Sequence, residues 1–233
     1  MTKKLTLAIL FALASIYSFA AQESPLPTLT LTPAASPPPT PPSPTRSVRI
    51  SFVPPPLEGT ISLGVYDGNG KLVRILHQEA DLNEFTIGAD ALVTKWDGKN
   101  DDGEDLPAGK YHARGYLVGR SKIEDLGPAA SPAKDNESGN VKVKLMPNPL
   151  ASDERPIVDL GVGFDDEGSF LKTTDGLPLC TVSETPNLIR ASIKKNSEKS
   201  VDVWQDDGAV VEQFRISNID KTMAFDCGDF ELK

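Results

Sequence analysis

The stretch that most constrains this chain runs from Leu92 to Val118. Two apolar-alternating segments flank Trp96-Asp97-Gly98-Lys99-Asn100-Asp101-Asp102-Gly103-Glu104-Asp105-Leu106-Pro107-Ala108-Gly109-Lys110-Tyr111. On the incoming side Leu92, Thr94 and Trp96 alternate with Val93 and Lys95. On the outgoing side Tyr111, Ala113 and Leu117 alternate with His112, Arg114 and Tyr116, the period of a half-buried strand. Between them, glycine tolerates positive φ, Asp and Asn bond their own backbone, and Pro107 presets φ for a turn. The pattern predicts a strand, a structured loop carrying two turns, and a returning strand.

Similar signals precede it. Val48, Ile50 and Phe52 alternate with Arg49 and Ser51 until Pro54-Pro55-Pro56 stops the run, because proline cannot donate to a ladder. Ile61, Leu63 and Val65 form the next strand, closed by Gly68-Asn69-Gly70 onto Leu72, Val73 and Ile75. Phe85 and Ile87 make a short strand. After Tyr111 to Val118, a Gly/Pro/Ala/Ser-rich loop is expected from Gly127 to Asn140, with Val141, Val143 and Leu145 returning as the last strand of this module.

Tyr66-Asp67-Gly68-Asn69-Gly70-Lys71-Leu72-Val73-Arg74, Trp96-Asp97-Gly98, Asp101-Asp102-Gly103 and Leu106-Pro107-Ala108-Gly109-Lys110-Tyr111 together resemble the Ig-like domain of the flagellar hook-capping protein FlgD, a module found in many exported bacterial proteins. The resemblance covers about residues 47–146. It implies an Ig-like or fibronectin-III-like β-sandwich used as a structural or docking unit, in which Trp96, Asp97, Gly98, Gly103, Pro107, Gly109 and Tyr111 are motif positions and Trp96 is the core tryptophan.

At the N-terminus Lys3 and Lys4 precede an apolar run from Leu5 to Phe19 that ends on Ser18, Ala20 and Ala21. This is the arrangement of a cleaved secretory signal, expected over residues 1–21, and the run is shorter than the ~20 apolar residues of a spanning helix. No cysteine lies near it, so a lipid-anchored lipoprotein is not expected. Residues 22–46, rich in proline, threonine and serine, read as a stiff polyproline spacer. A docking site for a proline-recognition domain or a glycosylated stalk is the alternative there.

Met146-Pro147-Asn148-Pro149 opens an expected linker over 147–156, and a smaller antiparallel β module is expected over 157–233. Phe164-Asp165-Asp166-Glu167-Gly168-Ser169-Phe170-Leu171 and Trp204-Gln205-Asp206-Asp207-Gly208-Ala209-Val210-Val211 share one pattern: aromatic, acidic turn, glycine, apolar return. Tyr66 to Val73 has it too, and the recruitment of these residue types by any tight hairpin is the favoured reading over duplication; the spacing of the two later copies, about 40 residues, nevertheless approaches that of a propeller blade, and Thr173-Thr174-Asp175-Gly176 resembles blade turns. Two blades cannot close a ring. A short open sheet, a small sandwich, or a module completed by another chain is therefore expected. The whole chain reads as all-β.

Cys180 and Cys227 are the only cysteines; in an oxidising compartment they are a disulfide candidate, with two buried thiols the alternative. The two histidines, His77 and His112, lie on different strands, which offers little to a zinc site or a nucleophile triad. Phosphate-binding and dinucleotide fingerprints are lacking, and no cofactor is expected. Asp97, Asn100, Asp101, Asp102 and Asp105, with Glu104, form an oxygen-rich loop that is a calcium candidate, but Lys99 stands where an alternating loop needs an oxygen. Trp96 and Trp204 both flank hairpin turns, and a core role is expected for both, with a sugar-stacking platform the alternative.

A net charge of −9 and a pI near 4.8 argue against a nucleic-acid partner, which requires a clustered basic surface. The expected role is an exported, non-catalytic structural or docking module at the cell envelope, its partner another envelope or secreted protein, with no membrane insertion after signal cleavage. A glycan-binding or adhesion module and an accessory of flagellar hook assembly are the alternatives. The cleavable signal and spacer stand where the hook-capping protein carries its assembly segment.

Overall fold

The computed structural model describes residues 46–130, 139–150 and 153–233. The expected signal peptide and the proline-rich spacer as far as Thr45 lie outside the described residues, as does most of the loop expected between Gly127 and Asn140. The described chain is all-β. Its strands are β1 (Val48–Phe52), β2 (Gly59–Asp67), β3 (Leu72–Ala80), β4 (Thr86–Ile87), β5 (Leu92–Trp96), β6 (Gly109–Gly119), β7 (Lys122–Pro128), β8 (Val141–Lys144), β9 (Ile157–Phe164), β10 (Ser169–Thr173), β11 (Pro178–Ser183), β12 (Arg190–Ser197), β13 (Ser200–Asp206), β14 (Val211–Ser217) and β15 (Thr222–Leu232). Among the described residues helix is confined to the 3-10 turn Leu82–Glu84.

The strands form antiparallel sheets in the orders β1-β5-β4, β15-β6-β2-β3, β11-β10-β9-β8 and β12-β13-β14-β7. The second of these is central. Alternation in β2 predicts one wet face, yet Ser62, Gly64 and Tyr66 are buried as well as Ile61, Leu63 and Val65. The reason is that both faces are covered, the condition under which strands lose their polar side. On one face, Phe52, Leu63, Phe85, Leu117 and Phe225 make one buried cluster, and Ile50, Val65, Trp96, Tyr111 and Leu232 make a second, joining this sheet to β1-β5-β4. On the other, Tyr116, Val118 and Ala224 enter a larger cluster with Val143, Leu171, Val203 and Ile216 of the remaining two sheets.

The sheets do not divide where composition changes. β15, the last strand, pairs with β6 from Leu232↔Gly109 to Thr222↔Val118. β7 pairs with β14, and β8, expected to close the first module, pairs with β9. Hydrogen-bonded pairing therefore crosses the boundary expected at 147–156 in both directions. The physical reason lies in β6, an 11-residue strand whose backbone groups need partners on two sides while its side chains are buried. β2 satisfies one side, and only β15 reaches the other. The segment expected to be a free linker is tied down as well: Asn148 Nδ2 donates to the Ala224 carbonyl at 2.8 Å and Met146 N–H to that of Thr222 at 2.9 Å.

The two acidic hairpins are present, as β9–β10 and β13–β14, but in different sheets that share one buried cluster. They are not successive blades. β7 begins at Lys122 and takes in Gly127 and Pro128, which the sequence places in a loop.

Candidate functional site

The loop between β5 and β6 is built by its own side chains. Trp96 is 1% exposed, packs edge-on against Tyr111 at 5.0 Å, and donates its indole N–H to the Lys99 carbonyl at 2.8 Å. Asp97 Oδ1 accepts from Lys99 N–H, and Asn100 and Glu104 bind each other through both backbone and side chain. Leu106 N–H closes the loop on the Gly98 carbonyl at 2.9 Å. Gly98 has φ +78, and an added Cβ there would lie 2.9 Å from Leu232 Cδ1, so glycine is required twice over. Gly103 likewise has φ +80 in the second turn. Tyr111 donates its hydroxyl to the Pro107 carbonyl at 2.8 Å, pinning the start of β6 to the residues before it. Gly109 opens β6.

Apart from Asp102, the side chains of the calcium candidate are engaged within this architecture. Asp101 Oδ1 accepts from Ile75 N–H at 2.9 Å and lies 3.7 Å from Arg74, which also donates to the Asn100 carbonyl. The Lys99 ammonium lies 3.2 Å from the Gly103 carbonyl and 3.8 Å from Asp105. Asp102 is exposed. A lysine inside the loop and carboxylates turned to backbone N–H groups leave no convergent oxygen shell. Among the described residues no group of three or more His, Cys, Asp or Glu side chains is placed to hold a metal ion.

Both histidines serve the sheets. His77 Nε2 lies 2.8 Å from Thr94 Oγ1, with its ring 4.4 Å from that of Phe85, and burial lowers its pKa. His112 stands between two carboxylates of β15, with Nε2 3.0 Å from Asp226 and Nδ1 2.7 Å from Asp229. The β15–β6 register shifts between those aspartates, where Gly228 has φ +81. A glycine-marked bulge thus turns both carboxylates toward one imidazole.

The disulfide candidate Cys180 and Cys227 is present as two free thiols, the alternative reading. Cys180, on β11, is buried in the large cluster, and Cys227, on β15, packs against the two clusters on the other face of the central sheet. Counting cysteines gave an even pair, but the fold separates them across a sheet. Burial pushes the Cys180 thiol up to about 12 and raises that of Cys227. Neither has the lowered pKa of a reactive thiolate.

The densest polar cluster was not legible as a site. It lies where the expected linker meets the central sheet. Arg155 pairs with Asp153, donates to Tyr116 Oη at 2.9 Å and to the Phe225 carbonyl at 3.2 Å, and lies 4.6 Å from the centre of the Tyr116 ring. Beside it, Arg114 stacks 3.9 Å from the Tyr66 ring centre and binds Asp175 at 2.8 Å. Burial opposes ionisation of Asp153, yet the hydrogen bonds from Arg155 outweigh it and hold the carboxyl below the usual range. The Arg114–Asp175 and Arg155–Asp153 pairs hold the β10–β11 turn and residues 153–155 against β6. A second tie crosses nearby: Glu79, at φ 48, accepts from the Thr181 backbone N–H at 2.8 Å and from its hydroxyl.

The two tryptophans part company. Trp96 is in a core, whereas Trp204 is half-buried on the outer face of its sheet, in one row with Ser192 and Gln213. The alternation of β13 explains this, because Val201, Val203 and Gln205 point into the cluster and leave Trp204 out of phase. Next to it Asp202 accepts from Arg215 Nε at 2.8 Å and from Gln213 at 3.1 Å.

The chain matches no family model, no curated protein and no solved structure. Among the described residues no helix is long and apolar enough to cross a membrane.

Proposed function

We propose that the chain is a non-catalytic structural or docking module exported to the bacterial cell envelope, with an Ig-like sandwich made of the β1-β5-β4 and β15-β6-β2-β3 sheets. The observation that carries this reading is the use to which its reactive groups are put. Each histidine, the buried arginines and the acidic loop are engaged in bonds that hold strands together, and both thiols have raised pKa values. Catalysis instead relies on groups left poised toward a substrate. Export rests on the basic, apolar and small-residue succession of the first 21 residues. Fractionation of the full-length chain bearing a C-terminal tag should recover an N-terminally processed form outside the cytoplasm, inert in a broad hydrolase screen. Intact precursor in the cytoplasm, or turnover of any substrate, would overturn the proposal.

Trp204, half-buried on the outer face of its sheet in one row with Ser192 and Gln213, favours a second reading as a glycan-binding module, since sugars stack on aromatic faces. On that reading Trp204→Ala abolishes glycan-array binding without lowering stability by more than about 1 kcal/mol. An array left empty by the unaltered protein would remove it.

A further inference from the structure

The body formed by the β11-β10-β9-β8 and β12-β13-β14-β7 sheets has two unlike ends. At one, Lys142 and Lys144 of β8, Pro156 and Ile157 at the start of β9, and Lys195 and Glu198 from the β12–β13 turn line an open groove of about 330 Å³. Ile157 is 51% exposed on its floor. Lys142 is balanced by Asp159 at 3.7 Å and Lys195 by Glu198 at 2.7 Å. Lys144 has no ion-pair partner among the described residues.

The opposite end carries the turns of the β9–β10 and β13–β14 hairpins. Gln205 bridges Ser183 and Ser169 there, which places both hairpins side by side. Asp165 and Asp207 cap their own turns, while Asp166 and Glu167 are exposed with no basic partner among the described residues. Among these acids, Phe164 is 41%, Val210 44% and Ile189 65% exposed.

Strand β9 joins the two ends, running from Ile157 to Phe164, about 23 Å at the rise of an antiparallel strand. One copy therefore cannot satisfy its own basic groove with its own acidic tip. Lysines on β8 and β12 alone would be explained as protection of sheet edges. Edge protection does not explain an exposed isoleucine beneath them, or an acidic tip of matching character with three exposed apolar side chains.

We propose that the acidic, apolar hairpin tip of one copy of this chain docks into the lysine-lined groove of a second copy. Because the two surfaces are different and lie at opposite ends, the contact is head-to-tail and open, so it propagates into chains of molecules instead of closing as a two-fold dimer. The docking is electrostatic at its rim, and salt weakens it.

Sedimentation velocity over a range of protein and salt concentrations tests this. At low salt the weight-average mass should rise with concentration to at least twice the monomer value, and return to the monomer at high salt. Lys142→Ser/Lys144→Ser removes the two β8 lysines of the groove and Asp166→Ser/Glu167→Ser the two unpaired acids of the tip; each variant alone should stay monomeric where the unaltered chain associates. An equimolar mixture retains one intact tip and one intact groove and should give a dimer and nothing larger. An unaltered protein that is monomeric at every concentration, variants that associate like it, or a mixture that stays monomeric would each overturn the proposal.

Discussion

Replacing Arg155 with methionine is expected to destabilise the protein by about 3 to 5 kcal/mol, the cost of removing one partner from a buried ion pair. Asp153, its side chain only 4% exposed, would be left without its main donor, and the Tyr116 hydroxyl and the Phe225 carbonyl would each lose an N–H. Methionine keeps much of the volume, so the loss reports the charge and hydrogen bonds more than a cavity. Urea unfolding should show a lower midpoint with little change in slope. The pH dependence gives a second readout. The folded pKa of Asp153 is lowered, so its contribution is present above the ordinary carboxylate range and is lost as pH falls through the folded value. Arg155→Met should flatten that acid limb. Combining it with Asp153→Asn should recover part of the lost stability, because the orphaned charge is removed as well. A loss below about 1 kcal/mol would mean that the pair is solvated like a surface bridge.

Removing β15 is expected to have a still larger effect. Without residues 222–233, β6 loses its neighbour along its whole length, and the clusters around the central sheet lose Phe225, 1% exposed, and Leu232, 2% exposed. Each large apolar side chain taken from a core costs about 2 to 5 kcal/mol, against a total stability of about 5 to 15 kcal/mol. The truncated chain should lack dispersed amide resonances and a cooperative thermal transition. Residues 47–146 alone, which composition marks as a self-sufficient module, should fail for the same reason. A folded, cooperative product from either chain would show that the pairing of β15 is dispensable.

How much of this was legible follows from the range of the interactions. The loop from Trp96 to Tyr111 could be read because its determinants are local: Asp97, Asn100, Gly98 and Gly103 act on backbone within a few residues. Most strands were legible from alternation for the same reason. The partner of β6 was not, because pairing Gly109 with Leu232 depends on which strand reaches a buried edge, and nothing near either residue records it. Neighbours in sequence usually pair, and that regularity led to a boundary the sheets do not respect. The exterior position of Trp204 was available in principle. Its phase against Val201 and Val203 indicates the outer face, whereas aromatic character alone points to a core. Arg155 had no signal of its own. A charged residue beside prolines reads as a solvated linker until the strand beneath it is known.

The central claim is that strands exchanged across the compositional boundary make residues 46–233 unfold as one unit. Each side of that boundary carries one tryptophan, Trp96 on β5 and Trp204 on β13. Urea unfolding of Trp204→Phe and of Trp96→Phe, each followed by tryptophan fluorescence and by far-ultraviolet circular dichroism, measures this directly. In each variant the two signals should share one midpoint and one slope. A fluorescence transition displaced from the dichroism transition in either variant, so that one part melts while the other persists, would contradict it.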